Sequence, residues 1–365
     1  MRKIVVSGIN FFAGGPLKVM QAFLESLSEY AKDEYEIIAL VHDEKLFPHY
    51  EHVQYLAFKN SRKSWLFRMY YEYLGFRRLS RKLKPYCWIS LHDISPNVSA
   101  ERRILYCQNS YPFYSPGIQY FWIQPRIYLF SLLSKQMYRI NIKKNDFVVV
   151  QQEWLRKAFG KMFGLDRDKI VVALPMQSTP RTATEVTGAK NKRTLFLFPA
   201  RPMINKNFEI LCKATALLEK AGVADFKVVI TIDGKENRYT RHLYKKYGRL
   251  KSLQFVGLLD RDAMHRHFLE CDCVVFPSKI ETWGLPVSEA KEYGKPVLIS
   301  DLPYAKETVG VYDKAKFFNP DNPPQLAQQM SDFIADRIVY DPTEEIKYEE
   351  PFAADWKSLF DQILK

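Results

Sequence analysis

Arg201 and Lys206 lie five residues apart, just after an apolar run from Thr194 to Pro199 that reads as a strand. On a loop after a strand, two cations can neutralise a diphosphate, the arginine as a planar fork and the lysine as a point charge. Two carboxylates stand further along. Glu281 is in the loop after the apolar run Cys273 to Phe276, and Glu289 lies about one turn inside a helix that Pro286 can start and Gly294 can cap. Both can then face one crevice and accept hydrogen bonds from hydroxyls, while Gly284 leaves the backbone bare at the amide-rich helix start. Amides for phosphate and carboxylates for hydroxyls suit a sugar nucleotide. By themselves, two such glutamates read sooner as the solvated face of an ordinary β-α-β unit.

The first half of the chain offers weaker candidates. Phe11-Phe12-Ala13-Gly14-Gly15-Pro16 follows the strand-like Lys3 to Ser7, and its two glycines let a backbone approach a ligand closely. Leu91-His92-Asp93 and Cys107-Gln108-Asn109 end two further strand-like runs, where polar side chains would reach a cleft. A lone histidine there serves structure as often as function. Gln108 can hydrogen-bond a hydroxyl but cannot carry a proton.

The elements that must hold these residues alternate. Runs at Glu36 to Val41, Cys87 to Leu91, Arg103 to Cys107, Asp146 to Val150 and Lys169 to Leu174 are separated by helical stretches, the rhythm of a parallel sheet with crossover helices. In the first helix Leu17, Met20, Phe23, Leu24 and Leu27 form the stripe expected to be buried. A threonine-rich, aperiodic stretch over 177–192 reads as a linker. Further strands at Phe226 to Ile232, Leu253 to Val256, Cys273 to Phe276 and Pro296 to Ser300 make a second sheet. The expected organisation is a first domain over 1–176, the linker, a second domain over 193–341 and a terminal helical stretch over 342–365.

A chain of 365 residues with a hydrophobic fraction of 47% is long enough for two such cores. Its five dispersed cysteines sit mostly in apolar runs and point to reduced, buried thiols in a reducing compartment. Residues 1–180 hold 26 Lys and Arg against 15 Asp and Glu, whereas residues 181–365 hold 28 against 26, so the net charge of +13 is concentrated in the first half. That asymmetry points to an anionic partner on that half. Residues 59–84 carry nine basic side chains and a single acid, Glu72, interleaved with Trp65, Phe67, Tyr70, Tyr71 and Phe76. The pattern suits an interfacial helix on anionic lipid and equally a packed helix with a solvated basic face. Tyr111 to Tyr128 adds further aromatics on the same half. Nucleic acid is not expected, because no nucleic-acid-binding pattern accompanies the charge. The amino-terminal apolar run is too short for a signal peptide, and no stretch of about 18 uninterrupted apolar residues occurs.

The segment from Glu281 to Glu289 resembles the Glu-x7-Glu signature of the retaining GT-B glycosyltransferases, in the large family that includes bacterial lipopolysaccharide and capsule transferases. The resemblance covers nearly the whole chain, closely in the second half and loosely in the first. It implies two Rossmann-like domains whose parallel sheets face each other across a cleft. The donor is then a nucleotide-diphosphate sugar, the acceptor a saccharide, lipid-linked in this reading, and the place of work the cytoplasmic face of a membrane. By position, Glu289 would bind the ribose and Glu281 would lie against the donor sugar, with Thr282, Trp283, Gly284 and Leu285 giving amides to the diphosphate. Arg201 and Lys206 match an Arg-x4-Lys pattern that holds the diphosphate. Gly14 and Gly15 match the amino-terminal glycine loop facing the donor phosphates, and Gly257 in Phe255-Val256-Gly257-Leu258-Leu259 a segment against the base. His92 with Asp93 matches a histidine followed by an acid. Gln108 stands where many relatives have histidine near the reaction centre. No metal is expected, since the two cations replace it. A GT-B sugar-nucleotide epimerase or phosphorylase, and a non-catalytic membrane-bound assembly partner, are the competing readings.

Overall fold

A computed structural model describes residues 1–31, 34–175 and 193–365. The linker expected at 177–192 lies outside the described residues. The chain divides into two units, one of residues 1–112, 133–179 and 347–365, the other of residues 113–132 and 180–346.

The first unit is built on an eight-stranded sheet of β1 (Arg2–Gly8), β2 (Tyr35–Val41), β3 (Val53–Ala57), β4 (Cys87–Ser90), β5 (Arg102–Tyr106), β6 (Phe147–Val150) and β7 (Ile170–Ala173), with an eighth strand from the end of the chain. The second carries six: β8 (Thr194–Phe198), β9 (Phe226–Ile230), β10 (Leu253–Phe255), β11 (Cys273–Phe276), β12 (Val297–Ser300) and β13 (Ala315–Phe318). β14 (Phe352–Ala353) returns to the first sheet and pairs with β7. Each of these pairings is parallel. Central strands such as β4 and β11 are buried along their whole length, which is why their sequences are continuous apolar runs rather than alternating ones.

Strand order fixes where ligands can sit. The first sheet runs β14-β7-β6-β5-β4-β1-β2-β3 and the second β10-β9-β8-β11-β12-β13. In each, the order reverses between two neighbours, β1 and β4 in the first and β8 and β11 in the second. The connections leaving those neighbours part to opposite sides and open a crevice at their carboxyl ends.

In the first unit the helix Gly14–Tyr30 buries Met20, Phe23, Leu24 and Leu27 against one face of the sheet, with Leu17 partly buried beside them. The terminal helix Trp356–Leu364 packs on the same face. Phe360 and Trp356 each meet the Phe23 ring edge-on at 5.2 Å, and Tyr30 donates its hydroxyl to Asp361 over 2.8 Å. Tyr86 closes the end by donating to the Leu364 carbonyl over 2.7 Å. Asp355 caps the helix start through Ser358 in a reciprocal pair of hydrogen bonds. All five cysteines are buried free thiols, and burial holds Cys87 and Cys107 well above the usual thiol range. Among the described residues no helix is long and apolar enough to cross a membrane.

Phe360 is fully buried in this cluster. Its replacement by alanine is expected to cost about 3–5 kcal/mol, read as a lower denaturant midpoint with an unchanged slope. An unaltered midpoint would show that the terminal helix is not part of the first core.

Candidate functional site

In the second unit two loops leave the switch-point neighbours. After β8 the chain turns through Ala200 to Lys206, and after β11 through Pro277 to Gly284. They are stitched together. The Lys279 amide donates to the Asn205 carbonyl over 2.8 Å, and the Asn205 side-chain amide returns to the Ile280 carbonyl over 3.3 Å. Lys206 Nζ lies 2.5 Å from Glu281 Oε1, both side chains largely shielded from water, and 5.7 Å from the centre of the Phe276 ring. Arg201 is exposed on the same turn.

The helix Leu285–Glu292 starts from Gly284, whose φ is +97°. A side chain there would be strained by that left-handed backbone and would put its Cβ 3.3 Å from Phe276. Pro286 falls in the first turn. The turn before it is fixed at Trp283, whose ring nitrogen donates to Ser288 Oγ over 2.9 Å and whose carbonyl accepts from Thr308 Oγ1. Thr282 and Glu289 are half-buried, one on each side of the helix start. Gly257, just past β10, has φ +76° and lies against Asp233. Thus Arg201, Lys206, Glu281, Thr282, Trp283, Gly284, Leu285 and Glu289 belong to two adjoining loops and one helix start, with Gly257 at the end of a strand two places from β8.

In the first unit, Gly14 opens its helix at φ +73°, and Gly15 follows with open space where a side chain would stand. Beyond β4, His92 is buried. Its Nε2 lies 2.5 Å from Glu72 Oε1, a close contact outside good hydrogen-bond angles, and its ring meets Phe11 edge-on at 6.3 Å. Arg68 donates to the His92 carbonyl over 2.9 Å. Asp93, at φ +74°, accepts the Gln108 amide over 2.6 Å. Burial raises the Asp93 carboxyl above its usual range against the lowering pull of that amide and of Arg68. Gln108 turns its side-chain amide back to the Leu91 carbonyl over 2.9 Å. His92, Asp93 and Gln108 therefore share one polar knot at the ends of β4 and β5.

Glu72 is the residue that sequence reasoning passed over. It sits fully buried in the π-helical turn Tyr71–Gly75, and its standing as the lone acid among nine basic residues does not by itself tell a buried carboxylate from a solvated one. Asn205 was likewise missed, because its stitching partners are about 75 residues away in sequence.

Residues 181–350 match the family described as Glycosyl transferases group 1. An uncharacterized glycosyltransferase of Methanocaldococcus jannaschii is 26% identical over 150 residues, 41% of this chain and 38% of that protein. The serotype-specific mannosyltransferase WbdA of Escherichia coli is 30% identical over 138 residues, 37% of this chain and 17% of that protein. The chain thus matches well under half the length of these curated relatives. Among solved structures, the lipopolysaccharide outer core galactosyltransferase WaaB in its apo form has TM-score 0.63 at 13% identity, covering 93% of this chain and 92% of that one. Anabaena HepE in complex with UDP-glucose has TM-score 0.62 at 14% identity, covering 92% and 90%. The two parallel-sheet units have the GT-B fold.

Gly284→Ala is expected to destabilise the second unit by about 1–2 kcal/mol through its backbone strain, seen as a lower Tm. A melting curve that does not move would mean that the turn relaxes freely and does not hold the helix start in place.

Proposed function

We propose that the chain is a retaining glycosyltransferase that moves a sugar from a nucleotide-diphosphate sugar to a saccharide acceptor, lipid-linked, in the assembly of a surface polysaccharide or glycolipid. The match of residues 181–350 to the group 1 glycosyl transferases is its starting point. The observation that carries it is the stitched pair of loops, which sets Lys206 against Glu281 and holds both beside the Gly284 helix start. The chemistry of a nucleotide sugar asks for this combination: cations and amides for the diphosphate, carboxylates for the hydroxyls.

Arg201 and Lys206 would stabilise the negative charge that grows on the diphosphate as the bond between the sugar carbon and the phosphate oxygen breaks. The acceptor oxygen then bonds to that carbon on the same face, and its proton passes to the departing phosphate oxygen. This step needs no protein base, so Gln108, which cannot carry a proton, is compatible with it. Glu289 would accept the ribose hydroxyls and Glu281 would lie against the sugar. His92, in buried contact with Glu72, would steady the end of β4, where Asp93 and the Leu91 carbonyl hold Gln108. Metal independence belongs to the proposal, the two cations supplying the positive charge. The WaaB and WbdA names place two similar proteins in sugar transfer, and HepE binds UDP-glucose.

The membrane part of the proposal rests on residues 59–84. Leu66 is 80% exposed and Trp65, Phe67, Tyr70 and Leu74 are also exposed, next to exposed Arg77, Arg78, Arg81, Lys82 and Lys84. Apolar side chains with flanking cations fit the inner, anionic face of a membrane.

Lys206→Ala and Glu289→Ala should each weaken nucleotide-diphosphate binding by about 10-fold or more, measured by calorimetry against a panel of nucleotides. Full affinity in both variants would remove the site assignment. Transfer from a nucleotide sugar to a lipid extract, undiminished by a chelator, is expected; epimer formation without any acceptor would instead indicate an epimerase. Flotation with vesicles containing anionic lipid should recover the protein, and equal recovery with neutral vesicles would remove the membrane claim.

A further inference from the structure

Residues 113–132 follow the end of β5 in the chain yet group with the second unit. Within them the helix Gln119–Ile123 turns Tyr120 inward, 8% exposed. The Tyr120 hydroxyl donates to Glu209 Oε1 over 3.0 Å, while the other oxygen of Glu209 accepts from the Tyr239 hydroxyl over 2.5 Å. The two tyrosine rings meet edge-on at 6.3 Å. Burial first, and then the charge of Glu209, push the Tyr120 hydroxyl far above its usual range, so it remains a donor.

Gln124, which ends that helix, reaches the turn that carries Arg201. Its side-chain amide donates to the Pro202 carbonyl over 3.4 Å, and Asn237 donates to the same oxygen over 2.8 Å. On the other side of Arg201, the Ala200 amide donates to Thr231 Oγ1 over 2.8 Å and the Thr231 hydroxyl donates to the Ala200 carbonyl over 2.9 Å. The Arg201 carbonyl itself accepts the Met203 amide over 2.8 Å. The backbone on either side of an exposed arginine is thus held by side chains from three separate segments.

We propose that Tyr120 and Gln124 are positioning residues for a nucleoside diphosphate: the strap 113–132 fixes the turn from which Arg201 reaches the terminal phosphate. The inference rests on the reading of Arg201 and Lys206 as the diphosphate-binding pair. Tyr120 anchors the strap through Glu209, and Gln124 transmits that anchorage to the Pro202 carbonyl. A long side chain on a loop gains little from a phosphate if its backbone must be ordered at the moment of binding, and a strap that orders it beforehand removes that cost.

The experiment uses the full chain and its variants Tyr120→Phe, Gln124→Met and the two combined. Uridine, guanosine, adenosine and thymidine diphosphates, each beside its monophosphate, are titrated by calorimetry, and Tm is recorded. The combined variant is expected to bind the preferred diphosphate about 3–10-fold more weakly, with the monophosphate affinity unchanged and a modestly lower Tm from the two lost hydrogen bonds. An equal loss for both phosphates, or no loss for either, overturns the proposal. If the unaltered chain binds no diphosphate more tightly than its monophosphate, the diphosphate reading of Arg201 and Lys206 falls, and this inference with it. If the unaltered chain keeps that preference while the combined variant binds like it, only the strap's role falls.

Discussion

The contact between Lys206 and Glu281 is the interaction on which the second unit's functional face depends. Each side chain comes from a different loop, and each loop leaves a different strand at the point where the sheet's order reverses. Shielding an ammonium and a carboxylate from water costs more than their attraction returns unless the geometry around them is tight. Here that tightness comes from the backbone bonds between Lys279 and Asn205 and from the Asn205 side chain on Ile280. The pair is therefore a consequence of the stitched loops as much as a cause of them, and neither loop could move alone without leaving a shielded charge unpaired.

The first unit solves a similar problem at its own switch point. His92 and Glu72 are both buried in close contact, while Arg68 donates to the His92 carbonyl and Asp93 accepts the Gln108 amide. The left-handed backbone of Asp93 is what turns its carboxylate toward the end of β5. Gln108 is consequently held by its main chain and by its own side chain on Leu91.

Much of this could be read from the chain, for reasons that lie in particular residues. Cys273 to Ser300 was legible because a strand buried on both faces must be continuously apolar, and because Pro286 and Gly284 mark a helix start by their backbone geometry alone. Arg201 and Lys206 were legible as a loop pair following a strand. Glu72 was not, since a lone acid in a basic amphipathic stretch reads as solvated, and only its π-helical turn brings it inside. Residues 113–132 were read with the first half of the chain, whereas Tyr120 bonds to Glu209, a residue 89 positions away. Contacts over such a separation leave no local pattern of hydrophobicity or turn chemistry, so no window of sequence reveals them.

The same contrast separates what the sheets fix from what the loops fix. Parallel strands set positions through backbone pairing, which any apolar run of the right length can make; β8 and β11 would hold their places with many sequences. What those strands cannot set is the direction of a long cation on the loop that follows. The backbone on either side of Arg201 is held by Thr231, Asn237 and Gln124, and the Lys206 side chain lies against Glu281, so the turn and the lysine are set by polar side chains remote in sequence. A fold of this kind can keep its architecture while such partners change. That is consistent with solved structures that share the GT-B fold with this chain at only 13–14% identity.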